Sequence, residues 1–581
     1  MDSTEMEISS VEQVYKNRSQ FVLIGLTGRT GSGCTSSVNI LEKEFKEIKP
    51  PKPRYADDNE ERKYKIVYNY SEQKWEKFLV IHIKDIITSF IIENSYKEFL
   101  EFLKKNEKNC EINFSQIKDT LKSRIKDEYQ KIYKLRVKLI ADRKEIDGRD
   151  TKSKIETKEI RERLYDFYFK IIPPFSMDLK KTLNQSSGNL YTTIYQLIGN
   201  NLRSSGTAFD NDFKKKYIYR IANRVNKVIK ITRHLKEKEA KTFIAIDAFR
   251  NPFEISFFRE RYSAFYLFSI STEVDTRFKR LQSASNINIK QLESIDKEYE
   301  KRLSGNEVFF SQDIASCIQL ADIHIHNPDI SLDNYSDLKR QLVYYITLIV
   351  HPGLVPPSHL ERCMQIAFNA KLNSGCLSRQ VGAVITDKYS SIKAIGWNSV
   401  PEGQVPCILR SVEDLLNNED ENAYSHYESN DPDFRQKMES TYGDLRNCQS
   451  KLAGLNHSFC FKDMQNLVDK DKNQVHTRAL HAEENAFLQI TKYGGAGIKD
   501  GMLFVTASPC ELCSKKAYQL GIKSIIYIDP YPGIAKDHIL NSGSNKPRLQ
   551  MFRGAIGRAY YQLYEPVLGY KDELKMLLEE A

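Results

Sequence analysis

Residues 21–35 read FVLIGLTGRTGSGCT. An apolar run from Phe21 to Leu26 followed by glycines at 28, 31 and 33 marks a buried strand handing over to a helix. Gly28, Arg29, Thr30, Gly31, Ser32, Gly33, Cys34 and Thr35 have the layout of a phosphate-binding loop, G-x-x-x-x-G-K-[ST], with Cys34 where the lysine belongs. The glycines and backbone amides that cradle phosphate are present, as is Thr35 for Mg2+. Cys34 brings no positive charge for a transferring phosphoryl group, so the loop is expected to bind a nucleotide and not to transfer phosphate efficiently.

Working outward, Ser36 to Phe45 reads as the helix carrying phosphate at its N-terminus, ending before KPPKP at 49–53. Lys77–Asp85 alternates like a second strand. Thr242–Asp247 (TFIAID), Ala264–Ile270 and Ala321–His326 read as further strands, with a helix from about Glu273. Strands alternating with helices around such a loop imply an α/β fold with a parallel sheet covered on both faces. Asp247, closing its strand, is a Walker B-like candidate. From Ser95 to about Lys170 the chain is charged, free of proline and patterned at helical spacing, which predicts long helices in a coiled-coil hairpin inserted into this first domain.

At 581 residues the chain calls for at least two domains. The expected division is 1–335, with the helical insertion at about 95–170, and 336–581, a second α/β unit with a polar insertion at about 402–475. No run of 18 uncharged apolar residues and no basic-then-apolar leader occurs, so a cytoplasmic protein away from membranes is expected. Ten scattered cysteines point to reduced thiols, some of them metal ligands. The net charge of +10 is concentrated in part at residues 214–233, where eight Lys or Arg occur without an acid. A solvated helix face and a phosphate-facing surface both fit that stretch.

His481-Ala482-Glu483 and, later, Pro509-Cys510-Glu511-Leu512-Cys513 form H-x-E…P-C-x-x-C, the zinc deaminase pattern. One imidazole (His481) and two thiolates (Cys510, Cys513) make a tetrahedral Zn2+ site with one position open, at which water is ionised near neutral pH. Glu483, two residues from the ligand, is the candidate proton carrier. A redox Cys-x-x-Cys leaves His481 and Glu483 unexplained, and a closed structural site would want a fourth protein ligand. Cys407, Cys448, His457 and Cys460 in the polar insertion would suffice for a second, structural zinc, although their spacing is irregular and unpaired thiols also account for them.

The second unit resembles the deoxycytidylate deaminases: Ser378-Arg379-Gln380-Val381-Gly382-Ala383-Val384-Ile385 matches that family's S-R-x-V-G-A-V-I strand, and Gly396-Trp397-Asn398 its G-Y-N motif. The resemblance implies that Asn398 contacts the sugar and base, that the backbone beside Ala482 reads the pyrimidine edge, and that Arg379 lies near phosphate. The first domain resembles nucleotide kinases, with Arg277 and Arg280 like the arginines a kinase lid brings to phosphates. A loop domain joined to such a deaminase resembles the bacterial anti-phage dCTP/dCMP deaminases, as do residues 199–206 (GNNLRSSG), 247–254 (DAFRNPFE) and 552–558 (FRGAIGR). That resemblance implies hydrolytic deamination of free deoxycytidine nucleotides, gated by a regulatory nucleotide or other inhibitor at the loop domain, in a homo-oligomer, with nucleic acid not required. Two alternatives remain at this stage. One is a nucleic-acid cytidine deaminase with Trp397 and Tyr531 as stacking platforms. The other is a bifunctional kinase and deaminase with Lys214, Lys215 or Arg250 replacing the missing lysine.

Overall fold

The computed structural model describes residues 10–54, 58–108, 113–147, 154–186, 190–236, 240–285, 303–329, 334–446, 449–494, 497–529 and 534–579. The chain divides into two compact units, Met1–Pro356 with Tyr561–Ala581, and Pro357–Tyr560. The second unit is therefore bracketed in sequence by parts of the first, and its limits differ from an expected 336–581. The difference has a physical source. The helix Ser336–Val350 buries Leu338, Leu342, Val343 and Ile346 within the first unit, where Arg340 pairs with Glu61 and Thr347 meets Ser71. The helix Tyr570–Glu579 brings the buried Glu573 to His351 Nε2 at 2.8 Å and to the Tyr15 hydroxyl at 3.3 Å.

In the first unit the strands are β1 (Phe21–Thr27), β2 (Leu79–His82), β3 (Thr242–Asp247), β4 (Phe265–Ser271) and β5 (Ile323–His326). They lie in the order β5-β4-β1-β3-β2, with every one of these pairings parallel. Their near-continuous burial is what a sheet covered on both faces requires. β1 lies between β3 and β4, so the loops leaving the carboxyl ends of β1 and β3 share the crevice where such sheets bind ligands. The second expected strand is shorter than its alternation suggested. Ile83 already begins the helix Ile83–Ile91, for which His82 is the N-cap residue.

The helical insertion is not a protruding hairpin. Tyr96–Lys105, Phe114–Arg124, Lys126–Asp147 and Lys154–Asp166 are separate helices. Phe99, Leu121, Tyr129, Ile160 and Phe167 share one apolar core with Leu23, Ile81 and Ile244 of the sheet. The basic stretch 214–233 is likewise structural in part. Arg224 is buried with a nitrogen 2.8 Å from Glu93, and both Arg220 and Arg224 stack on Phe90.

The second unit holds β6 (Gly382–Thr386), β7 (Ile392–Trp397), β8 (Met502–Ala507), β9 (Ser524–Asp529) and β10 (Arg548–Met551) in the order β10-β9-β8-β6-β7. β6 is antiparallel to both neighbours, whereas β8, β9 and β10 run parallel. The polar insertion forms short helices around its own apolar cluster of Val412, Leu415, Phe434, Met438, Phe459 and Met464.

Candidate active site

Two helix starts converge in the second unit. His481 is the N-cap of the helix Ala482–Tyr493, and Cys510 is the N-cap of Glu511–Gln519, directly after β8. His481 Nδ1 lies 3.3 Å from Cys510 Sγ and 3.5 Å from Cys513 Sγ. The three ligand atoms all fall within 4.8 Å of one another, the only such group among the described residues. One imidazole and two thiols at that spacing fit a zinc ion with an open fourth position. The neighbouring Cys513 thiol and the His481 imidazole pull Cys510 down to about 3, while the Cys510 contact and burial push Cys513 up. A thiolate at a helix start is also what the helix dipole favours.

Glu483, in the first turn of the same helix, is only 4 % exposed. Burial pushes its carboxyl up to about 7, against the opposing pull of its own backbone amide and of His481. Such a group can take and return a proton near neutral pH. Ala482 is the first residue of its helix and is buried, so its N–H falls among those that a helix leaves without an internal partner.

The two strand motifs act on this centre through packing, a role that the sequence reading missed. A Cβ on Gly396 would sit 2.1 Å from the Ala482 carbonyl oxygen, and one on Gly382 would sit 1.9 Å from that of Ala367. Glycine at 396 therefore lets β7 carry the helix of Glu483 against its backbone. Asn485 Nδ2 donates to the Trp397 carbonyl at 3.1 Å, and Leu480 N–H donates to that of Ser399 at 2.9 Å. Asn398 Oδ1 accepts from Val381 N–H at 2.9 Å, clasping β6 to the end of β7, and Asn398 also lines a pocket with Ser378, Thr477 and Arg478. Arg379 pairs with Asp529 at 3.0 Å, and the Asp529 carbonyl accepts from Ser508 N–H beside the cysteine turn. Arg379 thus has a bracing partner that the family resemblance did not suggest.

Of the candidate second-zinc residues, Cys407, His457 and Cys460 form no metal-ligand group among the described residues. Cys448, like Tyr531, lies outside the described residues. His457 is buried with neither ring nitrogen hydrogen-bonded. Cys407 and Cys460 instead line the pocket beside Asn398 together with Cys376.

In the first unit the glycine loop follows β1 and opens the helix Cys34–Leu41. Gly31 and Gly33 have φ of 83° and 115°, in the left-handed region that glycine tolerates. Thr35 Oγ1 donates to Asp247 Oδ2 at 3.3 Å, and His82 Nδ1 lies 2.9 Å from the same oxygen. Burial and the nearby Asp247 carboxylate push the Cys34 thiol up to about 12, whereas Arg250 acts in the opposite direction. Arg29 and Ser32 close the loop through Ser32 N–H to the Arg29 carbonyl at 3.0 Å. Arg277 and Arg280 meet this loop from the side of its carbonyls: Arg277 Nε donates to Thr30 O at 3.0 Å, and Arg280 Nη1 donates to Gly31 O and Ser32 O at 3.3 and 3.2 Å. Two family-like stretches meet as architecture, because Arg203 and Glu254 form a buried ion pair at 2.9 Å.

Residues 357–529 match the family described as the cytidine and deoxycytidylate deaminase zinc-binding region. The deoxycytidylate deaminase of Enterobacteria phage T4 is 30% identical over 175 residues, spanning 29% of this chain and 76% of the phage protein. That of Schizosaccharomyces pombe is 26% identical over 183 residues, or 32% of this chain and 41% of the yeast protein. The crystal structure of the cyanophage S-TIM5 dCMP deaminase with dCMP and dUMP aligns over 33% of this chain and 95% of its own, at 21% identity and a TM-score of 0.20. The zinc-centre geometry and the extent of the phage relationship lead to one assignment: the chain belongs to the cytidine and deoxycytidylate deaminase family of zinc-dependent hydrolytic deaminases.

Proposed function

We propose that the protein hydrolyses the 4-amino group of free deoxycytidine nucleotides, dCMP and dCTP, to the deoxyuridine nucleotides and ammonia. The observation that carries this reading is the buried Glu483 carboxyl beside the convergent His481, Cys510 and Cys513. These three residues would hold zinc, which when bound supplies the Lewis acidity that ionises water near neutral pH. Glu483 accepts the first proton of that water and delivers it to the ring nitrogen next to C4, then takes the second from the hydroxyl added at C4 and passes it to the amine, so that ammonia leaves as the C4 carbonyl forms. The Ala482 amide reads the pyrimidine edge, Asn398 contacts the nucleoside, and Arg379 sits on the phosphate side.

The first unit supports a regulatory reading. Its parallel sheet, positive-φ glycines and Thr35–Asp247 contact support a nucleotide cradle, in which Thr35 and Asp247 would hold Mg2+. Nucleotide bound there gates the deaminase through different affinities for its active and silent states. Loss of dCTP then starves phage DNA synthesis, a role that rests on the resemblance to anti-phage deaminases.

A substrate panel tests the catalytic part. The full chain, loaded with zinc, is incubated with dCMP, dCTP and a cytosine-rich oligonucleotide, and the products are read by mass spectrometry. Conversion of the free nucleotides is expected; conversion of the oligonucleotide alone overturns the reading.

A further inference from the structure

The glycine loop lacks its lysine, yet two cations are built against its back. Arg277 and Arg280 are 2 % and 6 % exposed. Their donors reach three consecutive loop carbonyls, those of Thr30, Gly31 and Ser32, at 3.0 to 3.3 Å. Arg280 also donates to the Asn327 and Asp329 carbonyls, and Asn327 Nδ2 donates to Ser32 O at 3.0 Å. With its carbonyls engaged on that side, the loop is oriented to turn amides the other way, toward the start of the helix Cys34–Leu41. On that front side Asp247 Oδ1 is buried without a hydrogen-bond partner, while Asp247 Oδ2 receives Thr35 and His82. A buried carboxylate oxygen left unmatched next to a threonine hydroxyl suits a divalent cation.

We propose that this loop binds the polyphosphate of a nucleotide together with a divalent cation, and that the buried guanidiniums of Arg277 and Arg280 take over the electrostatic part of the missing lysine from behind. The inference rests on the nucleotide-cradle reading of the first unit and names what makes that cradle work. A loop lysine is flexible and follows the transferring phosphoryl group. Arg277 and Arg280 are pinned by carbonyls, so they favour bound phosphate equally before and during any transfer. Such uniform stabilisation gives affinity without rate. The site is thus a holder of nucleotide, and its arginines are positioning residues. A Cβ on Gly33 would lie 2.4 Å from Asn327 Nδ2 and 3.9 Å from Arg280 Nη1, which shows how tightly the back of the loop is filled.

The test titrates the full chain with inorganic tripolyphosphate and Mg2+, and separately with ATP and Mg2+, by calorimetry. The thermal transition and far-ultraviolet circular dichroism of each variant serve as folding controls. Arg280→Gln is expected to weaken tripolyphosphate about tenfold or more, whereas Arg280→Lys stays within about threefold of the parent and Cys34→Ser within about twofold. Arg277→Gln provides a second neutralisation should Arg280→Gln fail to fold, with the same expected loss. Unchanged affinity in a folded glutamine variant, or equal losses for Arg280→Lys and Arg280→Gln, overturns the role given to charge behind the loop. It leaves the cradle itself standing if Gly33→Val still abolishes binding. Absence of any tripolyphosphate or ATP binding by the parent protein instead sinks the cradle reading. Transfer of labelled phosphate from ATP by the parent overturns the holding role.

Discussion

Glu483 is held against two thiols at the start of its helix without needing to join them as a ligand, and that placement dictates what its removal does. Glu483→Gln keeps the size of the side chain and discards its ability to accept a proton. Zinc content, measured by inductively coupled plasma mass spectrometry, is expected to remain near that of the parent, while turnover of dCMP falls by about 10²–10⁴-fold, the usual worth of a positioned proton carrier. Parallel loss of zinc and activity would make Glu483 a ligand and refute the assignment. The residue types and spacing of this centre were legible in the sequence because metal chemistry restricts them to imidazole and thiolate on two helix starts. Arg277 and Arg280 read in the sequence as lid-like arginines approaching phosphates, whereas their guanidiniums meet the loop's carbonyls. Which side of the loop they occupy depends on where β5 and Asn327 lie, and helical spacing carries no such information.

At the scale of elements, β7 and the helix Ala482–Tyr493 behave as one piece because Gly396 admits the Ala482 carbonyl to within 2.1 Å of where a Cβ would stand. Gly396→Ala must push the helix away, and with it His481 and Glu483. Displacements near 1 Å cost catalysis about 10²-fold. The expected outcome is a drop of that order in turnover, with reduced zinc retention on dialysis and nearly unchanged far-ultraviolet circular dichroism. Full activity in Gly396→Ala would show that the close approach is not needed. The strand Thr242–Asp247 fell where its apolar run placed it, since full burial leaves few other readings. The helical insertion resisted the same treatment. Its apolar positions repeat as a coiled coil would, but the surface they cover is the sheet core around Leu23 and Ile244, far away in sequence.

For the whole molecule, the distribution of sequence between the units matters more than the length of either. Glu573 closes a buried contact with His351 and Tyr15, whose rings stack with centroids 4.2 Å apart. Ending the chain after Tyr560 removes Glu573 from the first unit while leaving Pro357–Tyr560 entire. Limited proteolysis of the shortened chain is therefore expected to cut the first unit faster, with deaminase turnover persisting. Equal protease resistance of the first unit in both chains would contradict this account of the terminal helix. No helix among the described residues is long and apolar enough to cross a membrane.

The same bracketing sets an order of events at the ribosome. Every ligand of the metal centre is translated before Tyr561, whereas the helix that brings Glu573 to His351 follows it. A nascent chain consequently carries the whole metal-binding set while the first unit is still missing a buried carboxylate.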